Sequence, residues 1–87
     1  MGGPLVTRGL LTSSHDLNEI TDNGVFAFYI ERGLPMNIPS GIDRGVFINF
    51  FNTYHRMQLV AGMSSIYYRL WAANTWYEWR QFTTTSV

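Results

Sequence analysis

Two histidines and six carboxylates are the side chains in this 87-residue sequence that could perform acid–base or metal chemistry. His15 and His55 lie far apart, outside the spacing of known zinc motifs, and the sequence contains no cysteine. Ser14, His15 and Asp16 are consecutive, so they cannot adopt the geometry of a Ser–His–Asp triad. Lysine is absent, which excludes a Walker-type phosphate loop. The sequence therefore predicts no enzyme, no metal site and no cofactor.

Aromatic residues are the side chains best suited to binding. They make up 16% of the sequence, and all six basic residues are arginine. Aromatic and arginine side chains are enriched at protein interfaces, and flat rings can also stack on sugars. Alternation along residues 66–71 places Tyr67, Arg69 and Trp71 on one face of a strand, which makes this face the best candidate for ligand contact. The alternative is that the same aromatic residues pack in the core.

The elements that must position these residues are predicted to be mainly β. Five strands separated by turn residues are predicted at residues 25–30, 46–51, 55–61, 66–71 and 76–82, a pattern typical of a small antiparallel meander. Residues 25–30 are apolar on both faces, which predicts a strand covered on both sides. Residues 13–20 offer several N-cap candidates and apolar residues three positions apart, which predicts one short N-terminal helical turn.

Length and composition restrict the remaining possibilities. The chain is long enough for one small domain, and 46% hydrophobic against 14% charged residues favours a folded one. Its net charge of zero argues against a general nucleic-acid binder. A membrane-spanning helix needs about 20 consecutive apolar residues, and no apolar run in the sequence is nearly that long. Residues 1–12 are predicted to be a connector, residues 13–82 the domain, and residues 83–87 a tail or linker.

A series of short motifs follows these elements in order. The motifs are Asp16-Leu17-Asn18, Gly24-Val25-Phe26, Asn37-Ile38-Pro39-Ser40-Gly41, Gly45-Val46-Phe47-Ile48, Gln58-Leu59, Ile66-Tyr67-Tyr68-Arg69 and Trp76-Tyr77-Glu78-Trp79. Their order and spacing over residues 13–82 resemble the pyocin-knob type domain, which is found in tail fibres of bacteriophages and of R-type pyocins. The structural hallmarks that the resemblance implies are Gly24, Asn37, Pro39, Gly41, Trp76 and Trp79.

The resemblance also implies a function. It implies a module of a tail fibre, present as a homotrimer in a virion or an extracellular pyocin particle and joined to neighbouring fibre modules. The expected role is host-cell attachment, either by binding a bacterial surface glycan or by presenting and trimerising the receptor-binding part. The predicted ligand-binding residues are Tyr67, Arg69, Trp71 and Gln58, of which Gln58 and Arg69 could equally tie neighbouring strands together. Two alternatives are a purely structural fibre spacer and a carbohydrate-binding accessory domain of a polysaccharide-degrading tailspike.

Overall fold

A single β-sheet organises the chain, which is represented by a computed structural model that describes residues 6–52 and 54–82. The prediction of a mainly β fold is confirmed. The seven strands are β1 (Thr7–Leu11), β2 (Gly24–Tyr29), β3 (Arg44–Phe51), β4 (Arg56–Ala61), β5 (Ile66–Ala72), β6 (Thr75–Trp76) and β7 (Arg80–Gln81). Two short 3₁₀ turns, at Leu17–Glu19 and Ile30–Arg32, are the helical elements within the described residues.

The centre of the sheet is the predicted antiparallel meander, in which β2 to β5 pair in chain order. The sheet as a whole is mixed, because β1 pairs with β2 in parallel. This strand lies within the segment that the sequence predicts as a connector, and its last residue, Leu11, is in the core at 1% exposure. Residues 1–5 of that connector and the predicted tail at residues 83–87 lie outside the described residues.

One face of the sheet, the covered face, lies beneath the irregular segments 12–22 and 33–43. Buried residues from these segments and from the strands form one core cluster: Leu11, Leu17, Phe28, Ile42, Phe47 and Val60. Ile20, Leu34 and Ile38 pack against it from the same segments. Among the described residues, the core therefore lies between a sheet and a layer of loops whose helical element is the 3₁₀ turn Leu17–Glu19.

The loop layer is held together by hydrogen bonds around Asp16 and Met36. The two residues form an isolated parallel bridge, in which Leu17 N donates to Met36 O and Met36 N donates to His15 O. The Asp16 carboxylate caps the first 3₁₀ turn by accepting from Asn18 N at 2.9 Å. This turn is the short N-terminal helical element that the sequence predicts.

The last predicted strand, residues 76–82, is interrupted. Trp71 pairs with Trp76, and Tyr68 pairs with Arg80. Between these two pairs β5 has two residues (69–70), whereas the opposing segment has three (77–79). One extra residue on one side defines a β-bulge, which shifts the alternation of side chains by one position. Trp76 and Trp79 consequently both lie on the covered face, where regular alternation would place them on opposite faces.

Candidate functional site

The four predicted ligand-binding residues lie on or inside the covered face. Tyr67 packs against the core cluster, Arg69 is 5% exposed, and Gln58 has no exposed surface. Trp71 is half-buried and contacts a guanidinium. Their ligand-binding role stays a prediction, and in this structure the side chains of Gln58 and Arg69 hydrogen-bond to partners within the chain.

Three side chains form a polar ladder across the middle of the covered face: Asn49, Gln58 and Arg69 occupy paired positions on β3, β4 and β5. Gln58 Nε2 donates to Asn49 Oδ1 at 3.3 Å, and Arg69 Nε donates to Gln58 Oε1 at 2.8 Å. Burial of polar groups is tolerated when they are hydrogen-bonded to each other in this way.

The polar ladder also binds the loop layer to the sheet. Gln58 Nε2 donates to the carbonyl of Leu17 at 2.7 Å, and Arg69 Nη2 donates to Asn18 Oδ1 at 2.7 Å. Asn49 Nδ2 donates to two further carbonyls of the same segment, at Ile20 and Asp22. These bonds supply partners for backbone carbonyls that neither the short 3₁₀ turn nor the chain after it pairs.

Next to the polar ladder, arginine and tryptophan side chains alternate in an arginine–tryptophan stack. Its members are Arg56, Arg69, Trp71, Trp76 and Trp79. The Arg69 guanidinium carbon lies 4.0 Å from the ring centre of Trp76 and 4.7 Å from that of Trp79. The Arg56 guanidinium carbon lies 4.9 Å from the ring centre of Trp71 and 4.8 Å from that of Phe51. Such contacts stabilise a buried cation by about 0.5–2 kcal/mol each, which explains why a tryptophan-rich edge retains two arginines.

Burial changes the ionisation of Arg69. Loss of hydration lowers the pKa of its guanidinium to about 10, and the nearby Asp16 carboxylate opposes this change. Arg69 is still charged at neutral pH, so its contacts with the Trp76 and Trp79 rings are cation–π contacts under physiological conditions.

The hallmark residues of the resemblance have structural tasks. Asn37 adopts a φ of +67°, donates from Nδ2 to Asp16 Oδ1 at 2.7 Å, and accepts from Trp79 Nε1 on its carbonyl at 2.8 Å. It therefore links the loop layer to the end of the sheet. Pro39 is buried in the same loop, and Gly41 turns it with a φ of +88°.

Gly24 begins β2 where β1 passes close to it. A Cβ on this residue would lie 2.7 Å from the carbonyl oxygen of Val6 and 2.5 Å from Cγ of Arg8. A side chain here would separate the two parallel strands, so the glycine is required by packing.

The opposite side of the sheet, the open face, carries no covering segment among the described residues. Paired positions make three apolar rows across it: Val25, Ile48, Leu59 and Tyr68; Ala27, Val46, Ala61 and Ile66; and Phe50, Met57 and Leu70. Val46 and Ile66 are 39% exposed, and Ala27 is exposed. The expectation that residues 25–30 are covered on both sides is therefore wrong, because only one face of β2 meets the loop layer.

A pocket of about 470 Å³ lies at the β5 edge of the sheet, beside the bulge. We call it the bulge pocket. It is lined by Tyr68, Arg69, Leu70, Trp76, Tyr77, Glu78 and Arg80. Sequence reasoning missed Tyr77, Glu78 and Arg80 as site residues, although aromatic and charged side chains alternate from Tyr77 to Arg80.

The residues considered for catalysis are not brought together. His15 Nδ1 accepts from Thr12 N at 2.9 Å, and His55 is exposed at the start of β4. Within residues 6–52 and 54–82, no group of three or more His, Asp or Glu side chains could hold a metal ion. The same part of the chain contains no helix long and apolar enough to cross a membrane. Comparisons of the chain with protein families, with curated proteins and with solved structures find no match.

Proposed function

We propose that this chain is a module of a phage or pyocin tail fibre that takes part in host-cell attachment as a homotrimer. In this role it holds three copies together and presents the receptor-binding part of the fibre. The proposal combines the resemblance over residues 13–82 with the open face of the sheet. The open face is the observation that carries it.

The open face is unusually apolar for a surface. None of the eleven residues in its three rows is charged, and the charged residues Arg44 and Arg80 lie at its margins, opposite Tyr29 and Tyr68. Exposed apolar surface of this kind is unfavourable in water and marks interaction sites. An apolar surface without charges can pack against the same surface of further copies, which favours copies of this chain as the partners, and the number three follows from the resemblance.

The size of the open face suits an interface. Four strands spaced about 4.8 Å apart, with a rise of about 3.4 Å per residue, give a projected area on the order of 400 Å². The accessible area of a surface that carries side chains exceeds its projection, and a standard interface buries about 800 Å² per partner. The open face with its rim is thus of the size from which stable assemblies are built.

The experiment is a measurement of mass in solution by light scattering and sedimentation over a range of protein concentrations. We expect the purified chain to sediment at three times its 10.0 kDa monomer mass. Leu59→Glu, at the centre of the open face, should give a folded monomer, because a carboxylate cannot be buried there without a partner. The matched control is Gln81→Glu, at an exposed position beyond the rim of the covered face, and it should leave the mass unchanged.

Attachment is measured separately, as binding of the labelled protein to a panel of bacterial strains. Strain-selective binding that is weakened in the monomeric Leu59→Glu variant would support attachment by multivalent contact. A protein that stays monomeric at high concentration would overturn the trimer. A trimer that binds no strain would instead favour the structural spacer.

A further inference from the structure

The bulge pocket has the dimensions and the wall chemistry of a small-molecule site. Its volume of about 470 Å³ falls in the range of about 300–1,000 Å³ that is typical of ligand pockets. Aromatic rings from Tyr68, Trp76 and Tyr77 line it, and Arg69 is so deeply buried that it offers the pocket little surface. The accessible charged groups at the pocket belong to Glu78 and Arg80.

These two charged residues have no partners in the part of the chain that the structure describes. The side-chain hydrogen bonds and ion pairs within residues 6–52 and 54–82 involve neither Glu78 nor Arg80, and both residues are exposed. A carboxylate that accepts and a guanidinium that donates match the two hydrogen-bonding roles of a sugar hydroxyl. The charges of Glu78 and Arg80 cancel each other, and the charge of the buried Arg69 is opposed by the nearby Asp16 carboxylate, so the pocket favours an uncharged sugar over an acidic one.

The walls of the bulge pocket are fixed before any ligand arrives. Tyr77 N donates to Leu70 O at 2.9 Å, which holds the first residue of the bulge to β5. Trp79 Nε1 donates to Asn37 O at 2.8 Å, which holds its last residue to the loop layer. Trp76 is supported from behind by the Arg69 guanidinium. A pocket with such supports loses little conformational entropy on binding.

We infer that the bulge pocket binds a neutral sugar residue of a bacterial surface polysaccharide, with Tyr77 contacting the apolar face of the ring and Glu78 and Arg80 contacting its hydroxyls. This inference rests on the proposed role in attachment and names the site and ligand class for it. It differs from the set Tyr67, Arg69, Trp71 and Gln58, because all but one of those residues lie outside the pocket.

The test is titration of isotope-labelled protein with glucose, galactose, mannose, rhamnose and N-acetylglucosamine, followed by NMR. We expect at least one of these neutral sugars to shift the Trp76 indole and Tyr77 amide signals saturably at millimolar concentration. Tyr77→Ala should weaken this binding at least tenfold. Glu78→Gln changes no volume and cannot disturb the fold by its size, and it should weaken binding severalfold. Tyr54→Ala is the matched control, since Tyr54 is 77% exposed and lies outside the pocket.

Tyr68 and Leu70 belong both to the bulge pocket and to the open face, so the titration is repeated with the monomeric Leu59→Glu variant to separate sugar binding from assembly. If no neutral sugar shifts these signals, if glucuronic and galacturonic acid alone do so, or if Tyr77→Ala binds as the native chain does, the inference is wrong. If a neutral sugar binds the native chain but not the Tyr77→Ala variant, the inference holds, whatever oligomeric mass is measured. If the Tyr77→Ala variant still binds cells, the attachment role is retained, and the bulge pocket is not the site through which attachment occurs.

Discussion

The covered face of the sheet combines the apolar core with buried polar residues, whereas the open face carries apolar rows without a charged residue. The covered face buries Asn49, Gln58 and Arg69 at its centre, whereas the open face exposes apolar rows that include Val46 and Ile66. The difference teaches that the polar residues fasten to the sheet a loop layer whose own regular elements are short, the Asp16–Met36 bridge and one 3₁₀ turn. The apolar rows have no such layer, and a partner would have to replace it.

The largest effect that distinguishes the two faces is expected from neighbouring residues on β3. Phe47→Ala, on the covered face, should lower the free energy of unfolding by about 3–5 kcal/mol, because Phe47 has no exposed surface and lies in the core cluster. Ile48→Ala, on the open face, should cost less than half as much in dilute, monomeric protein. Urea unfolding followed by tryptophan fluorescence measures both. Equal losses in the monomer would mean that the open face is covered after all.

A second comparison removes the centre of the polar ladder. Gln58→Ala leaves the Leu17 carbonyl and Arg69 Nε without partners in a buried place, so the free energy of unfolding should fall by about 3 kcal/mol. Gln81→Ala is the control, because Gln81 is an exposed amide on the same face and its loss should cost less than about 0.5 kcal/mol. Hydrogen exchange should also become faster at residues 17–22 in the first variant alone. An unchanged exchange rate there would contradict the fastening role.

The smallest expected effect concerns pH and sharpens the description of Arg69. Its pKa of about 10 lies below that of an exposed arginine, so the folded and unfolded states are equally charged below pH 9 and stability should not depend on this group there. Above pH 10 the unfolded chain binds the additional proton, so the contribution of Arg69 to stability rises with pH. The ¹³Cζ shift of Arg69 should be constant from pH 6 to 9 and begin to move near pH 10. A shift that stays constant to pH 11 would rule out the desolvation described above.

The sequence predicted the meander because the alternation in β3, β4 and β5 is local. It could not predict the parallel pairing of β1, since Thr7–Leu11 contains a glycine and its partner strand begins thirteen residues after β1 ends. It also could not identify the covered face. Tyr67, Arg69 and Trp71 share a face as expected, but arginine is normally exposed, and the partners that allow its burial come from Gln58 and Asn18 in other elements.

The bulge pocket was beyond prediction for a related reason. Residues 76–82 alternate as one strand would, and the extra residue is visible only when β6 and β7 are paired with β5. The resemblance did single out Trp76 and Trp79 as structural hallmarks. The bulge explains how both can serve the same face.

The parallel pairing of β1 has a mechanical consequence. Strands β2 to β5 alternate in direction, β1 is parallel to β2, and β7 is antiparallel to β5. The strands β1 and β7 therefore run in the same direction and lie at opposite sides of the sheet. Tension between the start of β1 and the end of β7 would therefore act along the strands and strain many hydrogen bonds together instead of peeling them one at a time. The two-residue strand β7 would yield first, so a pull would open the edge beside the bulge while the meander stayed intact.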